Sequence, residues 1–197
     1  MAKTREWLPK ILVEFFLIAF SILLALGVDD WKEERENHQK VREAIVNFER
    51  EIRQNRTDLQ ERLAYHERLW ASLKSVNPKD VRTIDDLQQR VGFQGLQVAF
   101  LLDTAWQTAL TTGALPHMDY EMVSRLSAIY TLQKRLYDYN SLIGATFFQF
   151  FADENIPTLV LSITASQTDI VLIERELLKE HDAALEHLRS TGSIPVQ

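Results

Sequence analysis

Hydrophobic positions fall into one solid block followed by a series of periodic stripes. The block is Ile11–Val28, ILVEFFLIAFSILLALGV, apolar but for Glu14 and Ser21. As a helix it spans roughly 27 Å, close to the hydrocarbon thickness of a bilayer. Trp7 and Trp31 bracket it at the positions indoles favour at a membrane surface, and Lys3, Arg5 and Lys10 precede it. The pattern predicts a transmembrane anchor. Three other readings compete. A cleaved signal peptide would use Ala25-Leu26-Gly27, but it would carry Glu14 inside its apolar region and continue unbroken into helix formers. A buried soluble helix would need cover on every side. An interfacial helix would need a charged face, which this segment lacks.

Beyond the block, Asp29–Ser75 contains no proline or glycine. Apolar residues recur at Val41, Ile45, Phe48, Ile52, Leu59, Leu63, Trp70 and Leu73, and Asn55 and His66 take the remaining in-register places. Spacings of three and four predict one long helix with a narrow, coiled-coil-like seam. Such a stripe must be covered by the rest of the chain, by a second copy or by a partner. Asn77-Pro78 stops the helix. Thr83 with Asp86 resembles a capping box for a short helix to Arg90. Leu96–Leu102 is apolar without a decisive period, and the helical surroundings favour helix. Asp103-Thr104 would cap a helix that Gly113 closes. Asp119 caps the next, whose stripe runs through Val123, Leu126, Ile129, Tyr130, Leu136, Tyr137, Ile143 and Phe147 to the aromatic cluster Phe147–Phe151. That cluster implies burial or a patch for a partner or a lipid surface. A last helix begins near Asn155-Ile156-Pro157 and carries Ile170, Ile173, Leu177, Leu185 and Leu188. The expected fold is all-α, with residues 1–10 as a cytoplasmic N-terminus and 11–28 as a transmembrane helix. Residues 29–76 form a stalk helix, and 77–197 complete an elongated antiparallel bundle packed on it.

Within the anchor, Glu14, Ile18, Ser21, Ala25 and Val28 share one face, and Ser21 and Ala25 form a small-xxx-small pair that permits close helix approach. Glu14 is four residues from Lys10, so its side chain can pair with it or snorkel; the sharper reading is that its carboxylate marks a helix–helix contact. Lys and Arg are denser before the block than after it, which favours a cytoplasmic N-terminus and a periplasmic bulk.

Net charge is −6, with acids and bases interspersed, which argues against nucleic-acid binding. There is no cysteine, hence no thiol nucleophile or thiolate metal site. His38, His66, His117, His181 and His187 form no metal-binding spacing, and no HExxH, P-loop, GxSxG or dinucleotide fingerprint is present. No catalytic residue, cofactor site or metal site is expected, and the enzyme reading has no support. His66 reads as a polar residue in a packed seam, with a proton sensor as the alternative. Asn55 can set the register between paired helices. Trp106 reads as core, or as the wall of a small pocket with Tyr130, Tyr137 and Tyr139.

Two stretches carry a resemblance. EFFLIAFSILLALGVDDWKEERE resembles the opening of a large bacterial family of uncharacterised single-pass inner-membrane proteins, whose anchor starts with an acidic residue and ends "LLALxVDxW". DTAWQTALTTGALPHMDYEMVSRLSAIY is similar to that family's second hallmark, an aromatic helix, a Thr-Gly turn and a helix ending Leu-x-x-x-Tyr. The matching residues are Glu14, Leu24, Ala25, Leu26, Asp30, Trp31, Trp106, Thr112, Gly113, Leu126 and Tyr130. Ala-Leu-Pro after Gly113 departs from the more polar turn expected. The resemblance implies a helical domain of unknown function outside a bacterial inner membrane, and it assigns no catalytic residue. Together these readings lead to a membrane-anchored interaction or scaffold protein, homo-oligomeric or an accessory subunit of a membrane complex. The alternative is a sensory ligand-binding bundle that relays through a partner.

Overall fold

The computed structural model describes residues 7–152 and 155–192. Five α-helices, and no strand, occur among them. The first, α1 (Trp7–Ser75), is one unbroken helix of 69 residues, roughly 100 Å long, that contains both the apolar block and the stalk. A 3₁₀ turn at Pro78–Asp80 follows, its start held by the Asn77 side chain. The short α2 (Ile84–Asp86) opens with the Thr83–Asp86 capping box and runs on through a π-helical turn, Leu87–Val91. Residues 92–103 then form an irregular strap. Helix α3 (Thr104–Thr112) ends at Gly113, whose φ of +71° suits a left-handed cap that glycine adopts without strain. A second 3₁₀ turn at Leu115–His117 leads to α4 (Tyr120–Ala152), and α5 (Ile156–Gly192) returns. The Asp119 and Asn155 side chains accept from Met122 N and Thr158 N, closing the starts of α4 and α5.

Cross-contacts set the directions. On α5, Asp182 meets Arg56, Glu174 meets His66 and Thr168 meets Trp70, so α5 runs antiparallel to α1. It also runs antiparallel to α4, through Gln133–His181 and Tyr139–Asp169. Helix α5 thus lies against both α1 and α4. The stalk stripe is covered by its own chain: Phe48, Ile52, Leu59 and Leu63 are buried, and Val41 and Ile45 are half-buried at its near end.

The core has two parts. The part nearer the apolar block joins Phe48, Ile52 and Leu59 to Leu126, Ile129, Leu136, Ile170 and Leu177. The far part joins Tyr65, Leu69 and Leu73 to Val81, Leu87, Val91, Phe93, Leu159, Val160 and Ile163. Phe147 belongs to this far part, its ring 5.6 Å from that of Phe93. It lies at the level of Leu69, roughly 60 Å along α1 from Val28, so Phe147 is remote from any bilayer held at the block. The side chains of Phe148, Phe150 and Phe151 lie outside the described residues.

The apolar block itself is uncovered. Phe15, Phe16, Leu23 and Leu26 are each more than half exposed, and residues 29–36 are exposed as well. Two helices among the described residues are long and apolar enough to cross a membrane; the window in α1 is wholly uncovered, and 44% of the window in α5 is buried in the bundle.

The fully buried Leu59 and Leu177 sit in α1 and α5 of the nearer core. Leu177→Ala is expected to cost about 2–5 kcal/mol in urea unfolding monitored by helix ellipticity. A loss below 1 kcal/mol would mean that α5 is not packed as described.

Candidate functional site

The strap belongs to no regular element, so its backbone groups need partners from elsewhere. Helix α1 supplies them from one face. Glu51, Asn55, Asp58, Arg62, Tyr65 and His66 are spaced by threes and fours apart from the final adjacent pair, and each reaches the segment 94–105. Glu51 Oε2 accepts from Ala105 N at 2.8 Å. Asn55 makes a two-way clasp with Leu102: its Nδ2 donates to the carbonyl at 2.7 Å and its Oδ1 accepts from the amide at 2.8 Å. Asp58 accepts from Phe100 N, and Arg62 donates to the Gln97 side chain. The Tyr65 hydroxyl donates to Gly95 O at 2.8 Å and accepts from Gln94 N at 2.9 Å. His66 Nε2 donates to Leu96 O at 2.9 Å.

Several expectations are corrected here. Leu96–Leu102 is strap, not helix, because side chains 30 to 47 residues away satisfy its backbone in place of a helical ladder. Asn55, read as a register residue between paired helices, has its amide committed to Leu102 of this strap. Asp103 is the N-cap residue of α3 but makes no side-chain cap bond. The acceptor at that helix start is Glu51, whose negative charge also suits the positive end of the helix dipole.

His66 is 1% exposed, with Nδ1 2.9 Å from both oxygens of the fully buried Glu174. Since a carbonyl can only accept, Nε2 carries a proton, and a further proton lies between Nδ1 and the carboxylate. Burial pushes the Glu174 carboxyl above its ordinary range, while His66 opposes the shift.

Between the strap and α4 lies a mostly apolar cleft of about 730 Å³. Val98, Ala99, Phe100, Leu101 and Leu102 form one wall, and Ser127, Tyr130, Thr131, Gln133, Lys134, Leu136 and Tyr137 the other. Asp103, Trp106 and Gln107 close one end. The pocket candidates Trp106, Tyr130 and Tyr137 therefore line one cavity. Trp106 stacks on Tyr130, with centroids 5.3 Å apart and planes 27° apart, and Phe48 of α1 lies against both. The hydroxyls of Tyr130 and Tyr139 are engaged elsewhere. Tyr130 OH donates to Glu51 at 2.7 Å and Tyr139 OH to Asp169 at 2.7 Å. Burial and the partner carboxylates push both phenols upward, Tyr139 to about 12. Tyr137 is 67% exposed at the rim.

Comparison of the chain with protein-family models, with curated proteins and with solved structures returns no match. The chemistry of the cleft is read from its own residues. Gln133, one of its lining residues, is 7% exposed. Its Nε2 lies 3.3 Å from Nε2 of the fully buried His181, while its Oε1 and the His181 Nδ1 have no partner. Asn140 Nδ2 and Gln167 Nε2 are likewise buried and unpartnered. Their signal in the sequence was positional. The α4 stripe skips 133 and 140, and the α5 stripe skips 167 and 181. Each skipped place is in register and holds a buried polar residue.

Among the remaining candidates, Glu14 is exposed on the apolar block, and no ion pair between it and Lys10 occurs among the described residues. Ser21 Oγ donates to Leu17 O at 2.7 Å. Leu17, Ile18, Ser21, Ile22 and Ala25 line a shallow groove on the helix, and Val28 continues the same face. The acidic stretch at Asp30–His38 is exposed and faces His117, and no cluster able to hold a metal ion occurs among the described residues.

Two predictions follow from the buried polar groups. His66→Leu strands the Glu174 carboxylate and frees Leu96 O, and is expected to cost about 3–5 kcal/mol in urea unfolding. It should also speed proteolysis within 93–102 relative to the helices; an unchanged cleavage pattern would show that His66 does not hold the strap. Second, burial holds the His181 imidazole at about 4, from 6.5 in the open chain, with Asp182 and Arg56 nearby opposing one another. The unfolded chain therefore takes up a proton that the folded chain refuses. The stabilisation is complete above pH 6.5 and lost progressively toward pH 4, by up to about 3 kcal/mol. Glu174, with its raised folded value, acts in the opposite sense. Subtracting the pH profile of His181→Gln isolates the histidine, and two superimposable profiles would refute it.

Proposed function

We propose that this chain is a membrane-anchored, non-enzymatic interaction protein that displays a helical bundle on a rigid stalk. The observation that carries the reading is the uncovered apolar block at one end of the same helix that organises the bundle. Exposed side chains at Ile11–Val28 would lose several kcal/mol in water and gain in a bilayer. The lysines and arginines before the block favour an N-terminus in the cytoplasm of a bacterial cell and a bundle in the periplasm. The resemblance to single-pass inner-membrane proteins points the same way.

The face Glu14, Ile18, Ser21, Ala25 and Val28 favours a homo-oligomer or an accessory subunit. Ser21 and Ala25 permit close approach, and Ser21 has already satisfied its hydroxyl within its own helix. Glu14 is left as a carboxylate that hydrocarbon penalises until another chain relieves it. A second reading, a ligand-binding bundle that relays through a partner, is favoured by the cleft below Trp106. A thermal-shift screen against a metabolite library tests it, a flat response counting against a small-molecule sensor.

The chain contains no native cysteine, so single cysteines report cleanly. In native membranes, Ser21→Cys is expected to form an oxidant-dependent crosslink and Leu23→Cys, on the opposite face, to form none. A monomer in mild detergent together with an uncrosslinked Ser21→Cys would sink the self-association arm. Release of the full chain by carbonate extraction would sink the anchor.

A further inference from the structure

We propose that the turn Leu115–His117 rests on the zwitterionic headgroup layer of the same bilayer that holds the apolar block. This contact presupposes the anchored reading above and gives the bundle a second hold on the membrane. Position supports it. Ala105 is bonded to Glu51 and Trp106 lies against Phe48, whereas His117 shares a cavity with Asp30, Glu33, Glu34, Asn37 and His38. From Ala105 to His117 the chain therefore descends along α1 toward the block. Helix α5 pairs Asp182 with Arg56 and ends at Gly192, near the level of Val46. Among the described residues, the turn at His117 is thus the part of the bundle nearest the block. Asp30–His38 lie about 3–15 Å past Val28 at ~1.5 Å per residue. The headgroup layer fills about 5–7 Å of that distance. A tilt of about 20°, ordinary for a membrane helix, lowers an element packed about 10 Å to one side by a further ~3 Å.

Composition supports it independently. Charged residues make up 25% of the chain, yet no Asp, Glu, Lys or Arg occurs between Asp103 and Asp119. Leu110, Thr111, Thr112, Pro116 and His117 are exposed there. Asp119, just past the turn, accepts from Met122 N at the start of α4. An uncharged, partly apolar turn enters the headgroup region without stripping water from an ion, as a charged one would have to do. It has no Lys or Arg to draw it to anionic lipid, and Asp30, Glu33 and Glu34 on the facing side of α1 would repel such a layer. The layer it fits is zwitterionic.

The chain has no cysteine, so a nitroxide can be placed at His117→Cys and, as a reference, at Glu61→Cys. Glu61 is exposed on α1, about 50 Å past Val28. The full chain is placed in phosphatidylcholine–phosphatidylethanolamine discs, and the readout is relaxation of each label by a nickel chelate confined to water. The label at 117 is expected to lose most of the relaxation seen at 61. A second variant carries seven extra helix-forming residues after Trp31, in the exposed stretch 29–36 outside the core. The insertion raises the bundle by about 10 Å and turns it by only about 20°. It should restore relaxation at 117 to the level at 61. Equal relaxation at both positions in the unlengthened chain would overturn the contact and leave the anchor standing. Protection that survives the insertion would overturn it too, because the cover would then be protein and not lipid. Release of the chain from membranes by carbonate would overturn the anchor and the contact together.

Discussion

The grip of α1 on the strap is the constraint on which the arrangement depends. Twelve residues without regular structure run along a helix, and six side chains from one face of that helix hold them. The interactions are of different kinds: a carboxylate at a helix start, an amide clasp, a phenol bonded in both directions and an imidazole backed by a buried acid. Because the segment has no ladder of its own, its course is whatever these side chains dictate. The position of α3, the stacking of Trp106 on Tyr130 and one wall of the cleft follow from that course.

Helix α5 plays the complementary part. It covers the stalk stripe on one side and α4 on the other, and its register is marked by polar contacts at several levels. Thr168 meets Trp70, Glu174 meets His66, and His181 meets Gln133. A slip of one turn would break all three together and leave Glu174 buried without a partner. Such buried polar pairs add little net stability beside an apolar core, but they penalise wrong registers severely. A bundle built only of leucine and isoleucine at these places would have several nearly equal ways to pack.

The long elements were legible in the sequence because hydrophobic period is a local property. The seam from Val41 to His66, the α4 stripe and the α5 stripe could all be read from spacings of three and four. Capping at Thr83 and the stop at Gly113 were legible for the same reason. The strap was not, because six apolar residues in a run of seven, without period, look alike as helix, strand or neither. Their conformation is decided by Asn55 and His66, far away in the chain. The cleft was half legible: Trp106, Tyr130 and Tyr137 stood out as aromatics at suggestive spacing. The hydroxyls of Tyr130 and Tyr139 turned out to serve Glu51 and Asp169, which no spacing in the sequence connects to them. The four silent places in the stripes, Gln133, Asn140, Gln167 and His181, were visible as gaps. A polar residue where the period demands an apolar one is a buried polar residue more often than a break in the helix.

From Asp29 to Val76 the chain contains neither glycine nor proline, so nothing along that length serves as a swivel. The apolar block and the side chains that clasp the strap therefore belong to one helix. A displacement of the block relative to the bundle would therefore be carried along one helix to Asn55 and His66, which hold one wall of the cleft. Anything that separated the strap from α4 would in turn load that helix, and the two displacements would bias each other by the same free energy.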